Sequence, residues 1–406
     1  MRCKLVVLPI LRFSSKTLSL LGEGTLEFQD LADQEKRKGR KIINFGIGQP
    51  DFVTPKHIIN EAINALEQGF TGYTPSSGID ELREAISKFL NERYNANVVK
   101  GNIIVTPGAK MALYLALQSY IDYGDEVIIP EPSYYSYAEV TRMLGGKPVF
   151  SPLSFSTVEG FKLNLEDIEN KISDRTKAIV LNNPHNPTGA VFDKKEIIKL
   201  IDLVKERNLI LISDEIYDNY VYDEDFYSVL NDNDWKSNII YVNGLSKTFC
   251  MTGWRLGFVA AHEEVIKRMK VIAANTYTCP NSFSQKGALA AYYGNWDVIK
   301  EIINTFKKRR DVIYNMLTNI KDITLTRPKG AFYIFPNMSK IMQRVGLNSR
   351  EFAIKLIREA GVVTIPGTVF PDKAGEGFIR LSYAVNEGDI EEGMKRLKDW
   401  INEVMS

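Results

Sequence analysis

Ser246 and Lys247 stand side by side in NGLSKTFCMTGWRLGF, residues 243–258, just after a strand-like apolar run from Ile239 to Val242. Arg255 follows eight residues beyond the lysine. A lysine at the lip of a strand can attack a carbonyl and form a Schiff base. A serine hydroxyl and a guanidinium beside it can hold a phosphate. A small molecule that carries both an aldehyde and a phosphate, and that is bound through a lysine imine, is pyridoxal phosphate. Alone, such a pair is more often a surface lysine after a strand. Its weight comes from what stands at the ends of other strands.

Four further motifs share that position. LNNPHNPTGAVF, residues 181–192, follows the run Ala178–Leu181. Its two Asn-Pro pairs end a strand in a rigid loop that can present the Asn186 amide, a donor to a phenolic oxygen that adds no charge. LILISDEIYDNYVY, residues 209–222, ends an apolar strand in Asp214, with Tyr217 three residues on. A carboxylate beside a pyridine nitrogen keeps that nitrogen protonated and the ring a better electron sink, and Tyr217 can reach the phenolic oxygen. A cap on the next helix is the plainer use of Asp214. VTPGAKMALYLAL, residues 105–117, places Gly108 and Ala109 at a helix start, where unpaired amides attract an anion; its spacing is not that of a nucleotide-phosphate loop. FIRLSYA, residues 378–384, alternates so that Arg380 and Ser382 face away from Ile379 and Leu381, which suits a bidentate clamp for a carboxylate or a solvated edge. In FGIGQPDF, Gly46-x-Gly48 is half of a dinucleotide fingerprint with no third glycine, and reads better as a loop that lets a substrate approach the backbone.

The elements that must position these residues are legible as a repeat. Short β-rich runs occur at 102–106, 126–130, 148–151, 177–181, 209–213, 239–242 and 257–260, with helical patterns between several of them. In EIIKLIDLVKER, residues 196–207, Ile197, Leu200, Ile201 and Val204 fall on one helical face. Residues 111–121 and 262–273 read the same way. This alternation predicts an α/β fold whose mostly parallel sheet is covered by helices, with ligands gathered at the carboxyl ends of the strands. Beyond Trp296 the texture changes to a helix over 298–317, an antiparallel-looking set at 323–326, 331–335, 362–365 and 378–382, and a helix over about 388–404. The expected domains are a large one at 51–300 and a smaller α+β one built from 1–50 and 301–406. Residues 1–15 are expected to form a mobile arm.

The 406 residues are 44% hydrophobic and 25% charged, with a net charge of +1. That suits a soluble globular protein with an ample core and gives no basic surplus for nucleic acid or an anionic membrane. Three scattered cysteines point to a reducing cytoplasm, and three histidines far apart in sequence argue against a metal site. No apolar run reaches the ~20 residues that span a bilayer, and the basic, apolar start is not read as a signal peptide.

With GIGQPDF, GYTPSSGIDELREAI, NPHNPTG, SDEIY, SKTFCMTGWRLG and IRLSYA in order, the chain resembles the class I/II aminotransferases of the fold-type I pyridoxal-phosphate enzymes, and in particular the prokaryotic aspartate aminotransferases. The resemblance runs from about Phe45 to the C-terminus. It implies a cofactor imine on Lys247, Asp214 at the pyridine nitrogen, and Tyr217 and Asn186 at the phenolic oxygen. Gly108, Ala109, Lys110, Ser246 and Arg255 match the phosphate-binding segments, and Tyr134 takes the place of the aromatic that stacks on the ring. Arg380 matches the arginine for the substrate α-carboxylate, and Gly48 the backbone contact to it. Tyr73 matches a tyrosine that reaches the phosphate of a neighbouring subunit, implying a homodimer with shared active sites. Lys110 is equally placed to meet a distal carboxylate. Pro371, after PGTVF, departs from the glycine common in relatives and puts the path of that loop in question.

The implied activity is transfer of an amino group, from aspartate first among donors, to 2-oxoglutarate. Aromatic, alanine, kynurenine and 2-aminoadipate specificity stay open, as does carbon–sulfur lysis on the same scaffold. A pyridoxal-phosphate-domain transcription regulator would need an added DNA-binding domain, and the 45 or so residues before GIGQPDF show no helix-turn-helix pattern.

Overall fold

The computed structural model describes residues 13–18, 20–22, 24–371 and 374–406. Most of the expected arm, residues 1–12, lies outside the described residues, and residues 15–18 form a short helix. The central sheet has seven strands in the order Ile103–Thr106, Gly257–Ala260, Ile239–Gly244, Ile210–Asp214, Thr176–Asn182, Glu126–Glu131 and Lys147–Pro152. Gly257–Ala260 runs antiparallel to both neighbours; the remaining pairs are parallel. All seven coincide, within a residue or two, with the runs read from the sequence.

Alternation sorts the side chains of each strand between two cores. Ile103 and Val105 enter one, Ile104 the other; Ile179 and Leu181 enter the first, Ala178 and Val180 the second. The helix Lys194–Glu206 packs Ile197, Leu200, Ile201 and Val204 into the first core. Helices Ala109–Gln118 and Glu263–Thr276 cover the other face with Ala112, Leu113, Ile266 and Met269. Both faces are therefore dry, which is why the strands read as bare apolar runs.

A third core surrounds a three-stranded antiparallel sheet in the order Tyr333–Ile334, Ile379–Ser382 and Ile365–Pro366. The long helices Asp297–Thr318 and Glu387–Met405 pack on one another there. Two expectations are corrected. The stretch 362–365 is not one antiparallel strand: Val362–Val363 pairs parallel with Ile43–Asn44, and Ile365–Pro366 turns to pair with Ile379 and Arg380. Residues 323–326 form no strand, only an isolated bridge from Thr324 to Asn337, because left-handed Asp322 (φ 67°) and Pro328 confine the extended stretch. Several helices went unread, among them Lys56–Glu67, Asp80–Tyr94, Ser282–Tyr293, Ser349–Ala360 and Gly24–Arg37, the last with Phe28 and Ala32 buried.

Candidate active site

Parallel strands deliver their carboxyl ends to one edge of the sheet. Asn182 pairs with Asp214, Asp214 with Val242, and Gly257 with both Gly244 and Thr106. The segments leaving those ends, together with residues of the smaller sheet and of the helix Gly24–Arg37, enclose a cavity of about 430 Å³.

Lys247 leaves the end of Ile239–Gly244 in a tight turn. Tyr220 Oη donates to the Lys247 carbonyl at 2.8 Å, and Thr54 Oγ1 donates to the Cys250 carbonyl at 2.7 Å, pinning the turn from two sides. The Lys247 ammonium donates to the Gly48 carbonyl and lies 5.9 Å from the Tyr217 ring centroid. Burial pushes its pKa down to about 8; the positive charges of Arg380 and Arg255 act in the same direction and Asp214 opposes them. An amine held there is in part neutral near physiological pH, as a nucleophile or base must be.

Asp214 is not a helix cap. It is 7% exposed, accepts from Tyr137 Oη at 2.8 Å and from the Ile216 amide at 3.2 Å, and lines the cavity. Burial raises its pKa to about 6, against those two bonds and the Lys247 charge. Such a carboxylate is ready for a cationic partner that would restore its usual acidity.

Gly108 caps the helix Ala109–Gln118 with φ +85°, a conformation L side chains rarely adopt. A Cβ there would come within 2.5 Å of Arg255 Nη2, so the guanidinium sits directly against the turn. At Gly257 a Cβ would meet the Ala109 nitrogen at 2.4 Å, which lets the strand approach the same turn. Arg255 is held by a bond from Nη1 to the Thr252 carbonyl at 2.9 Å. Ser246, Ala109 and Lys110 complete this end of the cavity. The helix start, the guanidinium and the absent Cβ make a cradle that fits a phosphate. Lys110 Nζ donates to Tyr135 Oη at 2.9 Å, and lies 5.8 Å from the Tyr134 ring centroid.

Across the cavity, Arg380 is 4% exposed in the middle strand of the small sheet, not on a solvated edge. Nη1 donates to Asn186 Oδ1 at 3.1 Å and Nη2 to the Gly46 carbonyl at 2.8 Å. Its guanidinium lies 4.6 Å from the Tyr333 ring centroid and 4.8 Å from that of Phe370. Phe370 precedes Pro371; residues 372 and 373 of the loop in question lie outside the described residues. The loop at Asn186 is anchored by Asn182, whose Oδ1 accepts from the Asn186 backbone N–H at 2.8 Å.

The structure thus brings Gly48, Ala109, Lys110, Tyr134, Asn186, Asp214, Tyr217, Ser246, Lys247, Arg255 and Arg380 around one cavity, with Gly108 at its wall. Tyr73 is not among its lining residues and is 90% exposed. Sequence reasoning missed Tyr137, Asn182, Tyr333 and Phe370, and the wall supplied by Thr25, Leu26 and Gln29. Tyr137 carried a signal, the third tyrosine of the run Tyr134, Tyr135 and Tyr137. Among the described residues no cluster of ligating side chains suits a metal ion, and no helix is long and apolar enough to cross a membrane.

Comparison with known proteins agrees with this geometry. Residues 40–397 match the family model "Aminotransferase class I and II". The chain is 56% identical over 394 residues to an aspartate aminotransferase of Sulfolobus acidocaldarius, covering 97% of this chain and 98% of the relative. Among solved structures it is similar to an aspartate aminotransferase from Thermus thermophilus with maleate (TM-score 0.90, 34% identity, 96% of this chain and 100% of that one). It is also similar to an alanine aminotransferase from Pyrococcus furiosus (TM-score 0.91, 34% identity, 97% and 100%).

Proposed function

We infer function from membership: this chain belongs to the class I and II aminotransferases, and it is a pyridoxal-phosphate-dependent enzyme that exchanges an amino group between an amino acid and a 2-oxo acid. When bound, the cofactor supplies an aldehyde that links to amines and a ring that takes up the electron pair left at the substrate Cα. We propose that Lys247 carries the cofactor. Asp214 then faces the pyridine nitrogen, Tyr217 and Asn186 the phenolic oxygen, and Tyr134 the ring face. Gly108, Ala109, Ser246 and Arg255 hold the phosphate, and Lys110 either joins them or meets a distal substrate carboxylate. Arg380, with the Gly48 backbone, receives the α-carboxylate. Lys247 Nζ, once released, takes the Cα proton and delivers it on. Its lowered pKa, about 8, supports that role. The observation that carries the reading is the meeting of Lys247, Asp214 and the Arg255–Gly108 cradle in one cavity, with Arg380 on the opposite wall.

The proposed donor is aspartate and the proposed acceptor 2-oxoglutarate. In support, the relative from Sulfolobus acidocaldarius bears that name, and Lys110 offers the cavity a cation in addition to Lys247, Arg255 and Arg380. The proposed assembly is a homodimer in which Tyr73 reaches the partner's phosphate. Tyr73 at 90% and Val53 at 79% exposure are large side chains that a partner would cover. We place the work in the cytoplasm, on the sparse cysteines. The proposed division into a domain of 51–300 and one of 1–50 with 301–406 is supported by the two separate larger sheets and by a core around the smaller one drawn mostly from residues beyond 301.

The test is a panel of amino donors against 2-oxoglutarate with cofactor spectra recorded for each, run on the parent and on Lys110→Ala. Aspartate should give the highest kcat/KM. Lys110→Ala should lose acidic-substrate turnover while keeping alanine turnover. Higher kcat/KM with alanine or an aromatic donor would replace aspartate, and equal losses in Lys110→Ala would return Lys110 to the phosphate.

A further inference from the structure

Tyr333 has no task in the reading above, yet it sits among the groups that do. It is 1% exposed and is held in register opposite Ser382 by the small sheet. Its hydroxyl lies 2.8 Å from the Tyr217 hydroxyl. A Cβ on Gly48 would come within 2.8 Å of that same oxygen, and the Gly48 carbonyl is the acceptor of the Lys247 ammonium. The Arg380 guanidinium lies against its ring. Tyr333 is thus in contact with the lysine's backbone partner, the carboxylate clamp and the proposed donor to the phenolic oxygen.

A hydroxyl has one proton to give. If Tyr217 gives its proton to the cofactor's phenolic oxygen, the contact at 2.8 Å must be made by the proton of Tyr333. The reverse arrangement, with Tyr217 donating to Tyr333, would take that proton away from the cofactor. The two arrangements have opposite consequences, and the surroundings choose between them. Of two hydroxyls in contact, the more acidic donates. Burial raises both phenols, and the asymmetry between them is geometric: the Arg380 guanidinium lies 4.6 Å from the centroid of the Tyr333 ring, where its charge favours that hydroxyl as the donor.

We propose that Tyr333 is a positioning residue that donates its hydroxyl proton to Tyr217 Oη, aiming and strengthening the bond that Tyr217 makes to the cofactor's phenolic oxygen. The proposal rests on the reading that Tyr217 faces that oxygen. Chained hydrogen bonds polarise one another. A stronger donor at the phenolic oxygen stabilises the charge left there when the Lys247–cofactor linkage loses its proton. It therefore lowers the pH at which the bound chromophore changes colour. Tyr333 has a second, separable role: its ring supports Arg380 whether or not the hydroxyl is present.

The experiment is a spectrophotometric pH titration of the holoenzyme for the parent, Tyr217→Phe, Tyr333→Phe and the double variant, with steady-state KM for the amino donor on the parent, Tyr333→Phe and Tyr333→Leu. Tyr217→Phe should raise the colour midpoint by roughly one to two pH units, the worth of a hydrogen bond to a charged group. Tyr333→Phe should raise it in the same direction by a few tenths of a unit. The double variant should match Tyr217→Phe alone, since the relay has no effect without its second member. KM should stay within about twofold in Tyr333→Phe and rise clearly in Tyr333→Leu, which loses the ring. An unmoved or lowered midpoint in Tyr333→Phe overturns the proposal, and so does a shift in the double variant that adds to that of Tyr217→Phe. An unmoved midpoint in Tyr217→Phe overturns the assignment of Tyr217 itself, a result distinct from the others.

Discussion

Replacing Asp214 by Asn should stabilise the cofactor-free protein while removing its chemistry. The carboxylate is 7% exposed and its pKa is raised from the ordinary 3.8 to about 6, chiefly by burial. A difference of about 2 pH units corresponds to roughly 3 kcal/mol of unfavourable burial in the ionised form. Between about pH 4 and 6 the folded protein keeps a proton that the unfolded chain has released. The folding stability contributed by this group therefore rises as pH falls through that window, and the full penalty is present above pH 6. Asparagine has no charge to desolvate and still offers an oxygen to Tyr137, which donates to Asp214 Oδ2 at 2.8 Å. It gives up the longer bond that Oδ1 accepts from the Ile216 amide at 3.2 Å, so the burial penalty is an upper bound on the gain. Urea unfolding of cofactor-stripped protein, at one protein concentration and at pH 7.5, 6 and 4, measures the effect. The variant should exceed the parent by up to about 3 kcal/mol at pH 7.5, and the gap should close towards pH 4. With cofactor supplied, turnover should fall by roughly 10²- to 10³-fold, the usual cost of removing one preorganised electrostatic partner. A variant no more stable than the parent at pH 7.5, or a gap indifferent to pH, would refute the claim that Asp214 is held ionised against burial.

Two further outcomes test the walls of the cavity. Gly108→Ala puts a Cβ within 2.5 Å of Arg255 Nη2 at a φ of +85°, so equilibrium titration with pyridoxal phosphate should show at least about tenfold weaker binding, the equivalent of roughly 1.4 kcal/mol. Gly253→Ala, where no atom lies within 4 Å of the added Cβ, should bind as the parent does; equal losses in both would remove the cradle from the argument. Arg380→Lys keeps the charge but cannot reach Asn186 and Gly46 at once, so KM for the amino donor should rise by about 10²-fold in steady-state assays. An unchanged KM would show that the α-carboxylate binds elsewhere.

What the chain's order reveals and what it conceals follow from range. The seven strands of the large sheet are legible because burial on both faces leaves unbroken apolar runs, and Asp214 and Lys247 are legible because they stand where such runs stop. The small sheet is less so. Its strands are two to four residues long, too short for alternation to set register, and the run 362–365 serves two different partners. Tyr137 and Tyr333 escape because their importance lies in contacts 77 and 116 residues away, to Asp214 and Tyr217. The helix Gly24–Arg37 escapes for a different reason. Charged and polar residues outnumber apolar ones along it, so its buried stripe is narrow, and nothing local marks Thr25 and Gln29 as part of a cavity wall.

The distribution of charge explains why this cavity must be filled to be at rest. The chain as a whole carries +1. Among the described residues that line the cavity, Lys110, Lys247, Arg255 and Arg380 stand against Asp214 as the lone carboxylate. Like charges gathered in a shielded space raise one another's free energy; the pKa of Lys247, lowered first by burial, is lowered further by Arg380 and Arg255. The phosphate proposed at Arg255 and the carboxylate proposed at Arg380 would relieve that repulsion. Each anion that enters also withdraws part of the repulsion that keeps Lys247 a neutral base. The lysine's acidity is therefore coupled to occupancy: cationic surroundings favour the free amine, and bound anions favour its protonated form. An amine that must gain a proton from substrate and then give it up is served by a site whose charge shifts with the arrival and departure of its ligands.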